Sequence, residues 1–224
     1  MIELRDISFS YPNGDFRLSV PSLDLDDGER VAVVGPSGTG KTTLLNLIAG
    51  ITVPQGGQIS IDGDAMTGLS DAARRTFRAR KIGFVFQDFA LLDYLSAREN
   101  ILYPFRITSG TPLDAEARAR ADQLAEACGL KGKLSRRPGA LSQGEQQRVA
   151  LCRALVRQPK LILADEATGN LDPENKSAIL DLLFSRTREA GATLLAVTHD
   201  HDLLPRFDRV IDFADYRMAA EGVA

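Results

Sequence analysis

At 224 residues with 44% hydrophobic content, the chain has the apolar material for one large domain, or a domain carrying a sub-domain, and no low-complexity linker divides it. Its 27 basic and 30 acidic residues leave a net charge of -3, which argues against nucleic acid as the main partner because no general basic field meets a phosphate backbone. Two cysteines, Cys128 and Cys152, lack the paired spacing of a zinc site or disulfide framework and fall in helical apolar patterns, so both read as reduced core residues.

The N-terminal stretch MIELRDISFSYPNGD carries charges where a signal peptide needs an apolar run, and the longest apolar runs anywhere, such as VAVV and LILA, are four residues. A soluble, cytosolic chain is expected, with any membrane association arising through a partner. The first strand candidate is VAVVG at 31–35. It runs into GPSGTGKT, Gly35 to Thr42, which fits G-x-x-x-x-G-K-[ST] and opens a helix with Leu44, Leu45, Leu47 and Ile48 on one face and Gly50 at its end. Glycines let the backbone wrap a phosphate chain so that N–H groups and the helix N-terminus meet its charge. Lys41 then reaches the terminal phosphates, and the Thr42 hydroxyl holds magnesium.

Further along, KIGFVFQ at 81–87, LILADE at 161–166 and TLLAVTH at 193–199 are apolar without alternation, the pattern of parallel strands buried on both faces. With VAVVG they end on Gly35, Gln87, Asp165 with Glu166, and His199. In open α/β sheets the carboxyl ends of strands form the ligand crevice, so the four endings are expected to converge; the plainer reading is that polar residues mark where strands stop. Magnesium with nucleotide supplies the positive partner that makes an ionised Asp165 tolerable. Adjacent strand residues point to opposite faces, so Glu166 needs a separate role, that of general base toward the attacking water.

Between Gln87 and residue 141 lies a helical stretch, including Ala117, Ala121, Leu124 and Cys128 on one face with Gly129 as the stop. Just after Gln87, DFALLDYLSARENI gathers Phe89, Leu91, Leu92, Tyr94 and Leu95, which read either as ordinary core residues or as an exposed apolar cluster suited to docking. LSQGE at 141–145 opens another helix, where Ser142 and Glu145 form a capping box and Val149, Cys152 and Leu155 an apolar stripe before Pro159. The cap explains Ser142 and Glu145 but not Gly144, which costs stability in a first turn unless the backbone must approach something. A Ser and Gly at a helix N-terminus make a second anion site, which suggests two chains sharing each nucleotide.

GPSGTGKT, Gln87, LSQGE, LILADE, the GNLD turn and His199, in that order over almost the whole chain, resemble the ATP-binding subunit of an ABC (ATP-binding cassette) transporter. The resemblance implies an α/β fold: a P-loop NTPase core of the ABC type with a mostly parallel central sheet and N-terminal antiparallel strands. One nucleotide-binding domain would span 1–224, with a helical sub-domain at about 89–157 inserted in the core of 1–88 plus 158–224. It implies nucleotide contacts from Gly35, Pro36, Ser37, Gly38, Thr39, Gly40, Lys41, Thr42 and Thr43. Magnesium would be held by Thr42, Gln87 and Asp165, and catalysis carried by Glu166, His199, Gln87 and Lys41.

In that family two cassettes meet head to tail, so Ser142 and Gly144 would contact the γ-phosphate of ATP across a homodimer, and Asp172 would communicate between the two sites. Asp172 followed by Pro173 is equally an ordinary helix start. Tyr11 is similar in position to the aromatic that stacks on adenine; a plain strand-end tyrosine is the competing reading. His201 reads as a solvated loop residue. Gln143 and Glu145 depart from the commoner glycine and glutamine of the signature. With few residues after the last expected strand, no regulatory C-terminal domain is expected.

IGFVFQDFALL, LSQGEQQRVALCRAL and DEATGNLDPEN look most like the branch of lipoprotein-release, macrolide-export and cell-division systems, with an amino-acid importer subunit as the nearest competitor. The resemblance implies transmembrane permease subunits as partners, a coupling helix docking near Phe89 to Leu95, a place on the cytoplasmic side of the cell membrane, and no nucleic-acid partner. A non-transport cassette ATPase acting on nucleic acid or the ribosome, or a small-molecule kinase on the same loop, are the rivals; the first usually carries two cassettes, a coiled-coil insertion or basic arms, none of which is evident, and the second would need an acceptor site and lid arginines and would not need LSQGE.

Overall fold

The computed structural model describes residues 1–12, 16–108, 112–168 and 173–216. Strands β1 (Ile2–Ser10) and β2 (Arg17–Leu25) open the chain, followed by β3 (Arg30–Val34), helix α1 (Lys41–Ile48), β4 (Gly56–Ile61), β5 (Asp64–Ala65), α2 (Asp71–Lys81) and β6 (Ile82–Val85). Then come α3 (Ala97–Arg106), α4 (Ala115–Ala127), α5 (Gln143–Leu155), β7 (Leu161–Asp165), α6 (Pro173–Glu189), β8 (Thr193–Val197) and β9 (Arg209–Asp212).

Two sheets result. The antiparallel one has the order β2-β1-β4-β5, and the parallel one β6-β7-β8-β3-β9. In β1 the alternation Ile2, Leu4 inward changes phase around Asp6, where a register shift between Arg5 and Ser8 brings Ile7 and Phe9 to the core instead. The parallel strands show the other sequence signature: β7 and β8 are buried at all five positions. Val33, Leu161, Leu163, Leu195 and Val197 face one apolar cluster that also holds Leu44, Leu45, Leu47 and Ile48 of α1 and the inner face of the antiparallel sheet. Ile162, Ala164, Leu194 and Ala196 face another, covered by α5 and α6. Helix α1 is therefore wedged between the two sheets, which fixes the loop that precedes it.

A further cluster joins α3, α4 and α5 through Ile101, Phe105, Ala117, Ala121, Ala125, Val149 and Cys152. Small residues on α4 permit close helix packing, and Gly129 at φ +70 ends the pattern just beyond it. Cys128 and Cys152 are both buried free thiols here, as their apolar surroundings required. Gly83 explains how α5 meets the parallel sheet: a Cβ at that position would lie 2.3 Å from the carbonyl oxygen of Ala154, so only glycine lets the helix backbone approach β6.

Three features differ from the sequence reading. KIGFVFQ forms a strand only over 82–85, because Lys81 completes α2. Short β9 closes the parallel sheet beside β3 and escaped notice because Arg209 and Val210 are exposed, giving no buried apolar run. The segment after Gln87 is not an exposed apolar cluster: Phe89 is buried, Leu91, Leu92 and Leu95 are partly buried, and only Tyr94, 69% exposed, stands clear. Buried Asn100 fixes that segment, accepting from Leu92 N at 2.8 Å and donating to the carbonyls of Leu92, Leu95 and Ser96.

Candidate functional site

The strand register brings the endings together. Val85 pairs with Ala164, Asp165 with Val197, and Val197 with Val33, so β6, β7, β8 and β3 finish level along one edge. Gln87, Asp165, Glu166, His199 and the loop from Gly35 all follow from that edge. Gln87 is exposed two residues beyond β6, beside the strand that ends at Asp165.

The loop itself is shaped by its glycines and by its own carbonyls. Gly40 is the N-cap of α1 at φ +103, and a Cβ there would come within 2.5 Å of the Phe16 ring. Thr39 Oγ1 donates to Pro36 O at 2.9 Å, and the ammonium of buried Lys41 donates to Gly35 O at 2.7 Å and Pro36 O at 2.9 Å. Burial pushes the Lys41 pKa down, against the charges of Glu166, Asp165 and Asp212, which raise it. Pro36, Ser37 and Gly38 are exposed, so the inner surface of the loop is open to a ligand.

Capping separates α1 from its neighbours. Ser70, Ser96, Asp114 and Ser142 each accept a first-turn N–H with the side chain, at α2, α3, α4 and α5. Helix α1 has no side-chain cap and no acidic residue in its first turn. Its N-terminal N–H groups and dipole thus face the loop without an internal counter-charge, the arrangement that suits a bound phosphate.

Asp165 is 7% exposed at the end of β7. Burial raises its pKa, opposed by a hydrogen bond from Thr42 and the charge of Lys41, while Glu166 raises it further. Its Oδ1 is buried without a hydrogen-bond partner. An orphaned carboxylate oxygen beside a hydroxyl and the phosphate loop fits a hard divalent cation completed by phosphate oxygens and water. Among the described residues no group of three His, Cys, Asp or Glu side chains is placed to hold a metal ion.

Glu166 lies one residue past the strand at φ +46, a left-handed conformation that a non-glycine residue adopts at a cost. This turn, rather than strand alternation, parts it from Asp165. Its amide donates to Val197 O at 3.0 Å, and its carboxylate meets His199, with Nε2 at 2.5 Å from Oε1. Glu166 and His199 line a cleft of about 480 Å³ together with Lys176, Asp200 and His201. Lys176, paired with Asp200 at 3.0 Å, was not foreseen, since a lysine in a helix gives no signal of its own. His201 is exposed as expected, but at this mouth.

Tyr11 stands beside the loop: its hydroxyl is 3.1 Å from Thr43 Oγ1, its ring packs edge-on against Phe9 at 4.8 Å, and it remains 44% exposed. Phe16, missed in the sequence because it follows a turn with no periodic pattern, lies 5.8 Å from the Tyr11 ring and against Gly40. Ser142 and Glu145 form the expected capping box, and Gly144 lies in the first turn of α5. Asp172, with the GNLD turn, lies outside the described residues.

A sequence model of the family described as ABC transporter matches residues 18–169. The chain belongs to the ABC transporter family. This cassette is accordingly an ATPase that binds adenine nucleotide. It is similar to the bacterial ABC transporter cassette MJ0796, solved as a dimer, with 33% identity and a TM-score of 0.84 over 99% of this chain and 100% of that one. It is also similar to dimeric MJ0796 in a post-hydrolysis state bound to ADP and Pi, with 32% identity and a TM-score of 0.85 over 99% and 100% of the two chains. Among the described residues no helix is long and apolar enough to cross a membrane.

Proposed function

We propose that the cassette works as an ATP-driven homodimer that powers partner membrane subunits, in a system of the lipoprotein-release, macrolide-export or cell-division kind. The observation that carries the reading is the level edge of four strands that sets Glu166 and His199 beside an uncapped helix and its phosphate loop. The likeness to a dimeric cassette supports the pairing of two chains, and the exposed Ser142 at the start of α5 suits contact with a nucleotide on the facing copy.

In this reading the first-turn amides of α1 and the loop bind the phosphates, with Gly35 to Thr43 as the cradle and Tyr11 beneath the adenine. Lys41 exchanges its bonds to Gly35 O and Pro36 O for the β- and γ-phosphates. Thr42, Asp165 and Gln87 would hold Mg2+, which when bound neutralises charge on the phosphates. Glu166 accepts a proton from water as the water oxygen bonds to the γ-phosphorus; the bond from that phosphorus to the β–γ bridging oxygen breaks, giving ADP and phosphate. His199 holds the γ-phosphate and positions Glu166. Ser142 and Gly144 close over the γ-phosphate from the second copy, and Asp172 links the two sites. Residues of about 89–157 form the inserted helical sub-domain that carries this motion toward the membrane subunits.

The test is to saturate Glu166→Gln with Mg-ATP and weigh it in solution. A dimer retaining ATP is expected; a monomer, even with the membrane partner supplied, sinks the proposal. Lys41→Ala should abolish tight nucleotide binding, and retained affinity would discard the loop assignment. A non-transport role on nucleic acid or the ribosome would appear as co-purification with those partners in place of membrane protein.

A further inference from the structure

Strand β6 ends at Val85, and the chain then makes a tight turn that carries Gln87. Phe86 stacks on Phe84 at 4.2 Å, which fixes the start of the turn to the strand, and Phe89 N donates to Phe86 O at 3.1 Å. Phe89 and Ala90 follow at φ +62 and +45, two consecutive non-glycine residues in the left-handed region. Such a pair is strained and persists only where its surroundings over-determine it. Asn100 holds the segment further on, at Leu92, through bonds of 2.8 and 3.1 Å.

What fixes the strained pair comes from α5. Arg153 donates to Phe89 O at 2.6 Å and to Ala90 O, one guanidinium taking both carbonyls of the left-handed pair. The rigid fork of an arginine matches two neighbouring acceptors in one plane, which a lysine ammonium does not. Helix α5 is a firm base for it: Val149 and Cys152 are buried in one apolar cluster and Leu151 and Ala154 in another. Ala154 O also lies so near Gly83 of β6 that a Cβ there would approach it to 2.3 Å. Burial lowers the Arg153 pKa to about 10, opposed by the charge of Asp88. Carbonyls satisfy its donors without neutralising it, so an apolar side chain would fill a plain packing role at lower cost.

We infer that Arg153 is a positioning residue for hydrolysis: by locking the Phe89–Ala90 turn it aims Gln87 at the metal and water beyond the ends of β6 and β7. Its guanidinium is committed to carbonyls, so it acts through Gln87 rather than on the nucleotide. The inference rests on the reading that Gln87 serves Mg2+, and adds the group that sets its direction. With the fork cut, the left-handed pair relaxes toward ordinary backbone, and Gln87, two residues before Phe89, loses its orientation. Misplacing a ligating group by about 1 Å can slow chemistry roughly 10²-fold. Turnover should therefore suffer while ATP affinity, supplied by the loop from Gly35 to Thr43, is kept.

The test compares Arg153→Met, Gln87→Ala and the double variant in the full chain. Two readings are taken: ATP hydrolysis at varied Mg2+, and hydrogen exchange of the nucleotide-free chain followed by mass spectrometry. Expected for Arg153→Met is a kcat lowered about tenfold or more with KM for ATP within about threefold, and a Mg2+ concentration for half-maximal rate raised about fivefold. Exchange of the amides of 86–90 should quicken about tenfold while α5 itself is unaltered. The double variant should hydrolyse within about threefold of Gln87→Ala, because both changes remove one function. Arg153→Lys, which keeps the charge and reaches one carbonyl, should fall between the parent and Arg153→Met, and it supplies the readings where thermal unfolding shows that Arg153→Met does not fold. Parental turnover in the Arg153 variants, losses that multiply with that of Gln87→Ala, or unchanged exchange at 86–90 overturns the inference alone. A Gln87→Ala chain with parental rate and parental Mg2+ dependence overturns the reading of Gln87 and the inference with it.

Discussion

His199 Nε2 lies 2.5 Å from Glu166 Oε1, so the two groups assigned to the attacking water and the γ-phosphate already touch in the free chain. The pair spans the ends of adjacent strands β7 and β8, whose register holds it in place. Glu166→Gln should slow turnover by roughly 10² to 10⁴, as loss of a general base does, while ATP still binds. His199→Ala should slow it on a similar scale. Groups acting as one unit are not additive, so the double variant should fall within about threefold of the slower single variant. Steady-state phosphate release measures all three; an additive loss would mean the two act separately.

Asp165 gives a prediction about stability. Its carboxyl is pushed above the ordinary range chiefly by burial, so the folded chain holds that proton more tightly than the unfolded chain. Stability from this group is present at low pH and lost as pH rises from the unfolded value of 3.8 through the raised folded one. Asp165→Asn should therefore raise the melting temperature of the nucleotide-free chain at pH 7, by roughly 2–4 °C for each kcal/mol regained. The gain should vanish at pH 3, and Mg-ATP hydrolysis should be lost. A lower melting temperature at pH 7 would show that the charge is already compensated.

Ser142 caps α5 in this chain and is assigned a γ-phosphate contact in the dimer, two roles that substitution can separate. Ser142→Asp keeps an N-cap acceptor and suits the helix dipole, so monomer stability should hold within about 1 kcal/mol. A carboxylate facing a triphosphate is repelled, so ATP-driven dimerisation should fall at least tenfold. Calorimetric unfolding and analytical ultracentrifugation read the two effects. Unimpaired dimerisation would leave Ser142 with the cap alone.

Gly40→Ala should be costly for two independent reasons. Its φ of +103 lies where L side chains rarely sit, and the new Cβ would meet the Phe16 ring at 2.5 Å. Nucleotide affinity should drop about tenfold or more, on the scale of 1–3 kcal/mol of backbone strain. Phe16→Ala added to it removes the collision and leaves the strained φ, so only partial recovery is expected in a calorimetric titration. Full recovery would show that the ring alone was the obstacle.

The strand endings were legible because chemistry at a strand terminus leaves a pattern, four buried runs each closed by a polar or glycine residue. VAVV and LILA announced their burial, and LSQGE its cap, through purely local signals. Strand β9 and Phe16 were hidden, since an exposed edge strand and an aromatic beside a turn carry no period. The gathering of Arg75, Arg78, Arg153 and Arg157 around one cleft between α2, β6, α3 and α5 could not be read at all. Arg78 lies on α2, where arginines look like an ordinary solvated face, and Arg153 and Arg157 fall at i, i+4 on and just beyond α5; only the approach of α5 to β6 at Gly83 collects them. The position of Glu166 was legible for the wrong reason, since a left-handed residue rather than strand alternation turns it aside.

The bare start of α1 reaches beyond catalysis. Where four neighbouring helices carry their own stopper, this one borrows it from solution, so the first-turn amide hydrogens of α1 should exchange more slowly once nucleotide is bound. Occupancy at about a hundred times the dissociation constant adds roughly 2.7 kcal/mol to the folded state. The lifetime of the polypeptide against proteolysis would then rise and fall with the energy charge around it, making ATP a guardian of the chain as well as its fuel.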